Sequence, residues 1–172
     1  MIMKKTALLF VLILSCAVLS AQESRMFRRG YRGNLEIGNY AVFGKDKVGG
    51  IAQMTTTQGF SFGDGAFVGL GLGLGVDLNG SFFFPVFLDA KYNFIDRRTS
   101  PFAAVRTGLR YGPDEEYVSY GISLGGGMDF GRYSIRVGYE YSVSKTTTYV
   151  QHGYANQYAK PNFLFCSFAF NF

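Results

Sequence analysis

The chain has 172 residues, 48% hydrophobic and 17% aromatic, with 23 glycines, no tryptophan and a formal net charge of +5. That length suits one domain, and so mild a charge, scattered along most of the chain, gives no support to nucleic-acid binding. Of the two cysteines, Cys16 lies in an export-type leader and only Cys166 remains beyond it, which excludes a module stapled by intrachain disulfides.

Residues Met1 to Lys5 form a short basic segment, Thr6 to Leu19 an apolar one, and Ser20-Ala21-Gln22 supplies small residues for a cut after Ala21. Residues 1–21 are therefore expected to be a cleavable signal peptide, 22–30 a periplasmic leader and 31–172 the folded domain. Losing Lys4 and Lys5 with no acid takes the net charge from +5 to +3. Ile13-Leu14-Ser15-Cys16 loosely matches a lipoprotein processing box, so lipidation of Cys16 stays open as the alternative, although Leu14 is bulky for that box.

Short segments of period two then follow one another. Tyr31 to Phe43 sets Tyr31, Leu35, Ile37, Ala41 and Phe43 against Arg32, Asn34 and Glu36, with Asn39 out of step. After Gly44-Lys45-Asp46-Lys47, the segment Ile51 to Phe62 places Ala52, Met54, Phe60 and Phe62 opposite Gln53, Thr55 and Thr57. Gly63-Asp64-Gly65 is a tight hairpin signal. Beyond it, Val68, Leu70, Leu72, Leu74, Val76 and Leu78 alternate without error with Gly69, Gly71, Gly73, Gly75 and Asp77. Gly69/Gly73 and Gly71/Gly75 also satisfy the small-xxx-small spacing of helix pairs, but the apolar run is well short of the ~20 residues a spanning helix needs. Nor do these glycines open a helix, as a nucleotide-binding loop requires.

Five more strands complete the pattern. Phe82, Phe84, Val86, Leu88, Ala90, Tyr92 and Phe94 oppose Pro85, Phe87, Asp89, Lys91 and Asn93; then, after a polar turn, Ala103, Val105, Leu109 and Tyr111 oppose Arg106 and Arg110. Val118 to Phe130 and Tyr133 to Val143 alternate likewise across the Gly131-Arg132 turn. Lys145 to Lys160 reads as the one long connection, without alternation, and the last strand carries Leu164, Cys166, Phe168, Phe170 and Phe172 on one parity. The charge-free parity could be the inside of a soluble lipocalin-like barrel or sandwich. Facing lipid, it gives an all-β fold: an eight-stranded antiparallel up-and-down transmembrane β-barrel. That orientation puts Tyr31, Phe60, Phe62, Tyr92, Phe94, Phe130, Tyr133, Phe170 and Phe172 in one girdle at the periplasmic strand ends.

The exported amino terminus ending Leu19-Ser20-Ala21-Gln22, the stretch Phe87-Leu88-Asp89-Ala90-Lys91-Tyr92-Asn93-Phe94 with Ser100-Pro101-Phe102, and the terminal Phe168-Ala169-Phe170-Asn171-Phe172 carry a resemblance. The chain resembles the small outer-membrane barrels of Gram-negative bacteria, the OmpX-like or OmpA-barrel-like group, and in particular short barrels common in Bacteroidetes. The resemblance implies residence in the bacterial outer membrane, outer-membrane lipid as surroundings, and a monomer. It also implies that Phe168, Phe170 and Phe172 form the signal read by the barrel-assembly machinery, with Ser167 and Phe165 departing from its usual pattern.

The inward parity collects Glu36, Asp77, Asp89, Lys91, Arg106, Arg110, Asp129, Arg136 and Glu140, too many charges to stay unpaired in a narrow barrel. A charge-paired plug is expected, with Asp89 meeting Arg106 and the glycine column leaving volume for Phe87 and Lys91; a path for protons or small solutes is the alternative. A lateral exit for apolar solutes, as in OmpW-like barrels, is a further option. An enzyme reading would borrow from lipid A-modifying barrels such as PagP or PagL and would need His152, the single histidine, in an outer loop. No catalytic residues, metal ligands or cofactor are expected. Tyr149, His152, Tyr154 and Tyr158 suit contact with a surface protein or glycan, or simply fold over the barrel mouth.

Overall fold

Alternation of side chains along eight segments sets the architecture, because only a strand can hold one parity apolar and the other polar for so long. The computed structural model describes residues 27–43, 49–78, 80–113, 117–150 and 153–172, with side chains described throughout except at 43, 117, 146–150 and 153–158. The expected signal peptide and most of the leader lie outside these residues. The strands are β1 (Gly30–Phe43), β2 (Gly49–Ser61), β3 (Ala66–Asp77), β4 (Phe82–Asn93), β5 (Thr99–Gly112), β6 (Tyr117–Phe130), β7 (Tyr133–Val150), β8 (Gly153–Ala159) and β9 (Asn162–Asn171).

Eight of them close a ring. Each of β1 to β7 pairs antiparallel with its successor, and β9 pairs with β7 on one side and β1 on the other, so the ring has no free edge. At the closing seam Gly33 and Phe172 exchange backbone hydrogen bonds of 2.9 and 2.8 Å beyond the end of β9. Tight turns at one end are made by glycines with positive φ, Gly63 (92°), Gly65 (94°) and Gly131 (67°). That is the turn end of the barrel, and the opposite one is its hairpin end.

The segment expected to be an unpatterned connection is instead a hairpin. The first part of β7 pairs with β9 up to Tyr141↔Asn162, and its continuation pairs with β8 from Ser144↔Ala159 to Val150↔Gly153. Hydrophobic alternation reports two different environments, one per face. Thr146, Thr147 and Thr148 and then Asn156 and Gln157 give both faces polar character, so the strands leave no such trace in the sequence.

The outward parity is a broad and mainly apolar belt. Leu70 and Leu72 of β3 are 64% and 61% exposed, and Leu88, Leu109, Leu124 and Val137 on other strands are exposed with them. A soluble monomer does not carry apolar surface on this scale, whereas a lipid-facing wall requires it. The nine girdle aromatics ring the turn end, with Phe60 and Phe62 5.6 Å apart, Tyr92 and Phe94 5.5 Å, and Tyr133 and Phe170 5.7 Å. Polar side chains on the outward wall bond one another: Tyr31 donates to Gln58, Gln58 to Thr56 (2.8 Å), and Thr107 meets Tyr120 (2.8 Å).

Candidate functional site

The inward parity places its charges in three layers along the barrel axis. Nearest the turn end, Asp129 of β6 accepts from Lys91 of β4 (2.7 Å), Asn93 of β4 (2.5 Å) and Ser134 of β7 (2.5 Å), and Asn171 of β9 donates to Ser134 (2.6 Å). The Lys91 ammonium sits 4.1 Å from the centre of the Phe102 ring. Contributions from β4, β5, β6, β7 and β9 thus close this end of the lumen.

In the middle layer, Arg106 of β5 grips Glu36 of β1 with both terminal nitrogens, at 3.1 and 2.9 Å, and also donates to Asp89 of β4 at 2.9 Å. Asp89 accepts a second guanidinium, Arg136 of β7, at 3.2 Å. Strands β1 and β5 are four apart in a ring of eight, so the Arg106–Glu36 pair spans the diameter. Asp89 and Arg106 are direct cross-strand partners, in register from the turn between β4 and β5. Third, toward the hairpin end, Arg110 makes a two-pronged ion pair with Glu140, and its guanidinium lies 5.1, 5.5 and 5.8 Å from the rings of Tyr40, Phe163 and Phe83.

These four cations and four anions balance, so the lumen is neutral as a set. Glu36, Asp89, Arg106, Arg110, Arg136 and Glu140 are all buried. Asp77 is not among them: it lies half-buried at the end of β3, where its carboxylate accepts the Ser81 amide at 2.9 Å. A cavity of about 30 Å³ remains between the middle and hairpin-end layers, lined by Tyr40, Gln53, Pro85, Phe87, Arg106, Arg110 and Glu140. Gln53 donates to the Tyr40 hydroxyl at 2.8 Å, while its carbonyl oxygen and the Arg106 Nε have no protein partner. A space of this size suits one or two waters and no larger solute.

Aromatic rings complete the filling, and most of them rest on glycine. A Cβ added to Gly71 would overlap the Phe87 ring, and one on Gly75 the Phe83 ring; Gly125 and Gly138 make room for Phe165, and Gly127 for Phe102. Phe87 in turn lies 4.0 Å from the Arg106 guanidinium. The expectation that the glycine column also accommodates Lys91 is corrected: Phe67, Phe87 and Phe83 take that volume, and Lys91 packs on Phe102 across β4 and β5.

No family model and no curated protein sequence matches the chain. Among solved structures, the crystal structure of Neisserial surface protein A is similar with a TM-score of 0.53 and 10% identity, over 83% of this chain and 97% of that one. The solid-state NMR structure of outer membrane protein AlkL in lipid bilayers is similar with a TM-score of 0.51 and 10% identity, over 88% and 94%. The fold is that of the small eight-stranded outer-membrane barrels.

Within that barrel, the aromatic partners of the cations were missed by sequence reasoning. Tyr40, Phe83, Phe163 and Phe165 look like lipid-facing residues by type, and only their parity opposite Ile37, Phe84 and Leu164 marks them as inward. Phe165 is buried and stacked on Tyr40, with ring centres 5.1 Å apart. Of the outer-loop candidates, His152 lies outside the described residues, and Tyr149, Tyr154 and Tyr158 lie on β7 and β8 with side chains outside them. Phe168 is exposed on the outward wall, stacked on Tyr133 at 5.7 Å, and Phe170 and Phe172 follow it toward the turn end. Among the described residues no three histidine, cysteine or acidic side chains come together as metal ligands.

Proposed function

We propose that the protein is an integral barrel of the bacterial outer membrane with a sealed lumen, acting without catalysis or cofactor as a rigid base for its outer loops. The observation that carries this is the Arg106–Glu36 pair. A guanidinium from one wall that holds a carboxylate on the opposite wall leaves no bore for a solute, and the neighbouring layers repeat the closure. The β7–β8 hairpin then becomes the exposed element through which the molecule meets a surface protein or glycan, with Tyr149, His152, Tyr154 and Tyr158 as contact residues. Assembly would use Phe168, Phe170 and Phe172, since β9 must pair with β1 to close the seam.

A lateral carrier for apolar solutes is the second reading. It is favoured by an outward concavity of 510 Å³ on β9, β1, β2 and β3, where Ala41, Gly50, Ala52 and Cys166 are small among Leu164, Val76 and Leu78. The stacked Tyr40 and Phe165 rings back this stretch of wall, which supports a dent over a passage. Cell fractionation tests the main proposal. The mature chain is expected in the membrane fraction, released only by detergent and migrating faster before boiling than after; recovery from the soluble periplasm without detergent would overturn it.

A further inference from the structure

The fold converts a mild net charge into a polar molecule. Along the chain the arginines of the leader stand apart from Arg97, Arg98 and Arg132, yet the structure gathers them at the turn end. Arg29 lies against Gly63 in the β2–β3 turn, the Phe27 amide donates to Asp96 in the β4–β5 turn at 3.0 Å, and the Gly131 amide of the β6–β7 turn donates to the Arg98 carbonyl at 2.7 Å. The leader and three turns are thereby joined into one surface. On it Arg28, Arg29, Arg97, Arg98 and Arg132 lie with Asp64 and Asp96, a net of three positive charges, while the four cations and four anions paired in the lumen balance. By sequence the hairpin end holds Lys45, Lys47, Lys145 and Lys160 against Asp46, Asp77, Asp114, Glu115 and Glu116, a net of one negative charge.

Neither acid at the turn end neutralises the patch. Asp64 and Asp96 each accept a backbone amide, from Ala66 and Phe27, and none of Arg28, Arg29, Arg97, Arg98 and Arg132 forms an ion pair among the described residues. Four of the five are exposed and Arg132 is half-exposed. Their level is fixed by Arg29, whose guanidinium lies 6.0 Å from the centre of the Phe60 ring. Phe60 faces outward in the aromatic girdle, so the cation sits beside the wall at the depth of lipid headgroups and not over the barrel mouth.

We propose that this surface binds the headgroups of anionic phospholipids in the leaflet around the girdle. Guanidinium forks match phosphate oxygens in pairs, and arginines just beyond an aromatic ring meet those oxygens at the interface, where each adds to the attraction of an anionic surface. The proposal rests on the barrel being embedded in a bilayer, and it adds a lipid class and a leaflet. It also explains why arginine is concentrated at the end with short turns, which offers little other surface for a partner.

The test is native mass spectrometry of the mature chain refolded in mixed micelles with equal phosphatidylglycerol and phosphatidylethanolamine. Phosphatidylglycerol should be retained about tenfold over phosphatidylethanolamine at low salt, and the preference should fall as ionic strength rises. Replacing all five arginines by glutamine should abolish the preference, and replacing them by lysine should keep most of it. Equal retention by the folded parent, or a preference that survives the glutamine variant, would overturn the proposal. So would capture of soluble polyglutamate with equal retention of both lipids, which would assign the patch to an acidic protein. Should the glutamine variant fail to fold, the salt series on the parent decides alone. A parent that never enters micelles or bilayers would defeat the membrane reading itself, a separate outcome.

Discussion

Asp89 accepts from two guanidiniums, Arg106 and Arg136, and Arg106 is shared with Glu36, so one carboxylate ties β4 to β5, β7 and, through Arg106, β1. Removing it leaves two buried cations with one remaining anion among them. In a dry site the Asp89→Ala variant is expected to lose about 3–5 kcal/mol, because an uncompensated buried charge costs more than the pair contributed. Asp89→Asn, which keeps an acceptor and the volume, is expected to lose less. Denaturant midpoints in a fixed detergent measure both, and a midpoint for Asp89→Ala equal to that of the parent would show that water reaches the orphaned arginines. The Asp89–Arg106 contact was legible in the sequence, since a short turn fixes the register of neighbouring strands. The Glu36–Arg106 contact was not: its partners are 70 residues apart and meet across the diameter, where strand tilt and side-chain reach decide the pairing.

At the level of the strand, β3 shows why a glycine on every second position is compatible with a closed barrel. Its outward side is all aliphatic, while its inward side carries no side chain from Gly69 to Gly75, so that the Phe87 and Phe83 rings of β4 can lie against Gly71 and Gly75. A Cβ on Gly71 has nowhere to go, so Gly71→Ala is expected to destabilise the barrel by about 2 kcal/mol. Shortening the ring that fills the space should recover part of that loss. The double variant Gly71→Ala/Phe87→Leu is therefore expected to be more stable than the sum of the two single changes predicts, and strict additivity in the same unfolding assay would contradict the packing described here. The period-two pattern made β3 readable from sequence because its faces meet lipid and lumen. The β7–β8 hairpin was unreadable for the converse reason, and the inward aromatics were ambiguous because a phenylalanine by type does not say which wall it serves.

Taken whole, the molecule is an apolar cylinder around a neutral core of paired charges, basic at its turn end and slightly acidic by sequence at the other. Its fold was legible because a bilayer imposes the strongest alternation a strand can carry; the contact chemistry of the β7–β8 hairpin was not, because that stretch carries no alternation by which its two faces could be told apart. The sealed lumen is the claim on which the proposed role depends, and planar-bilayer conductance tests it most directly. The refolded chain is expected to insert and give no stable unitary current steps in concentrated salt, since three layers of ion pairs and rings fill the lumen among the described residues and the cavity between two of them holds about 30 Å³. Reproducible ohmic steps from the folded, heat-modifiable protein would contradict the account and establish a pore.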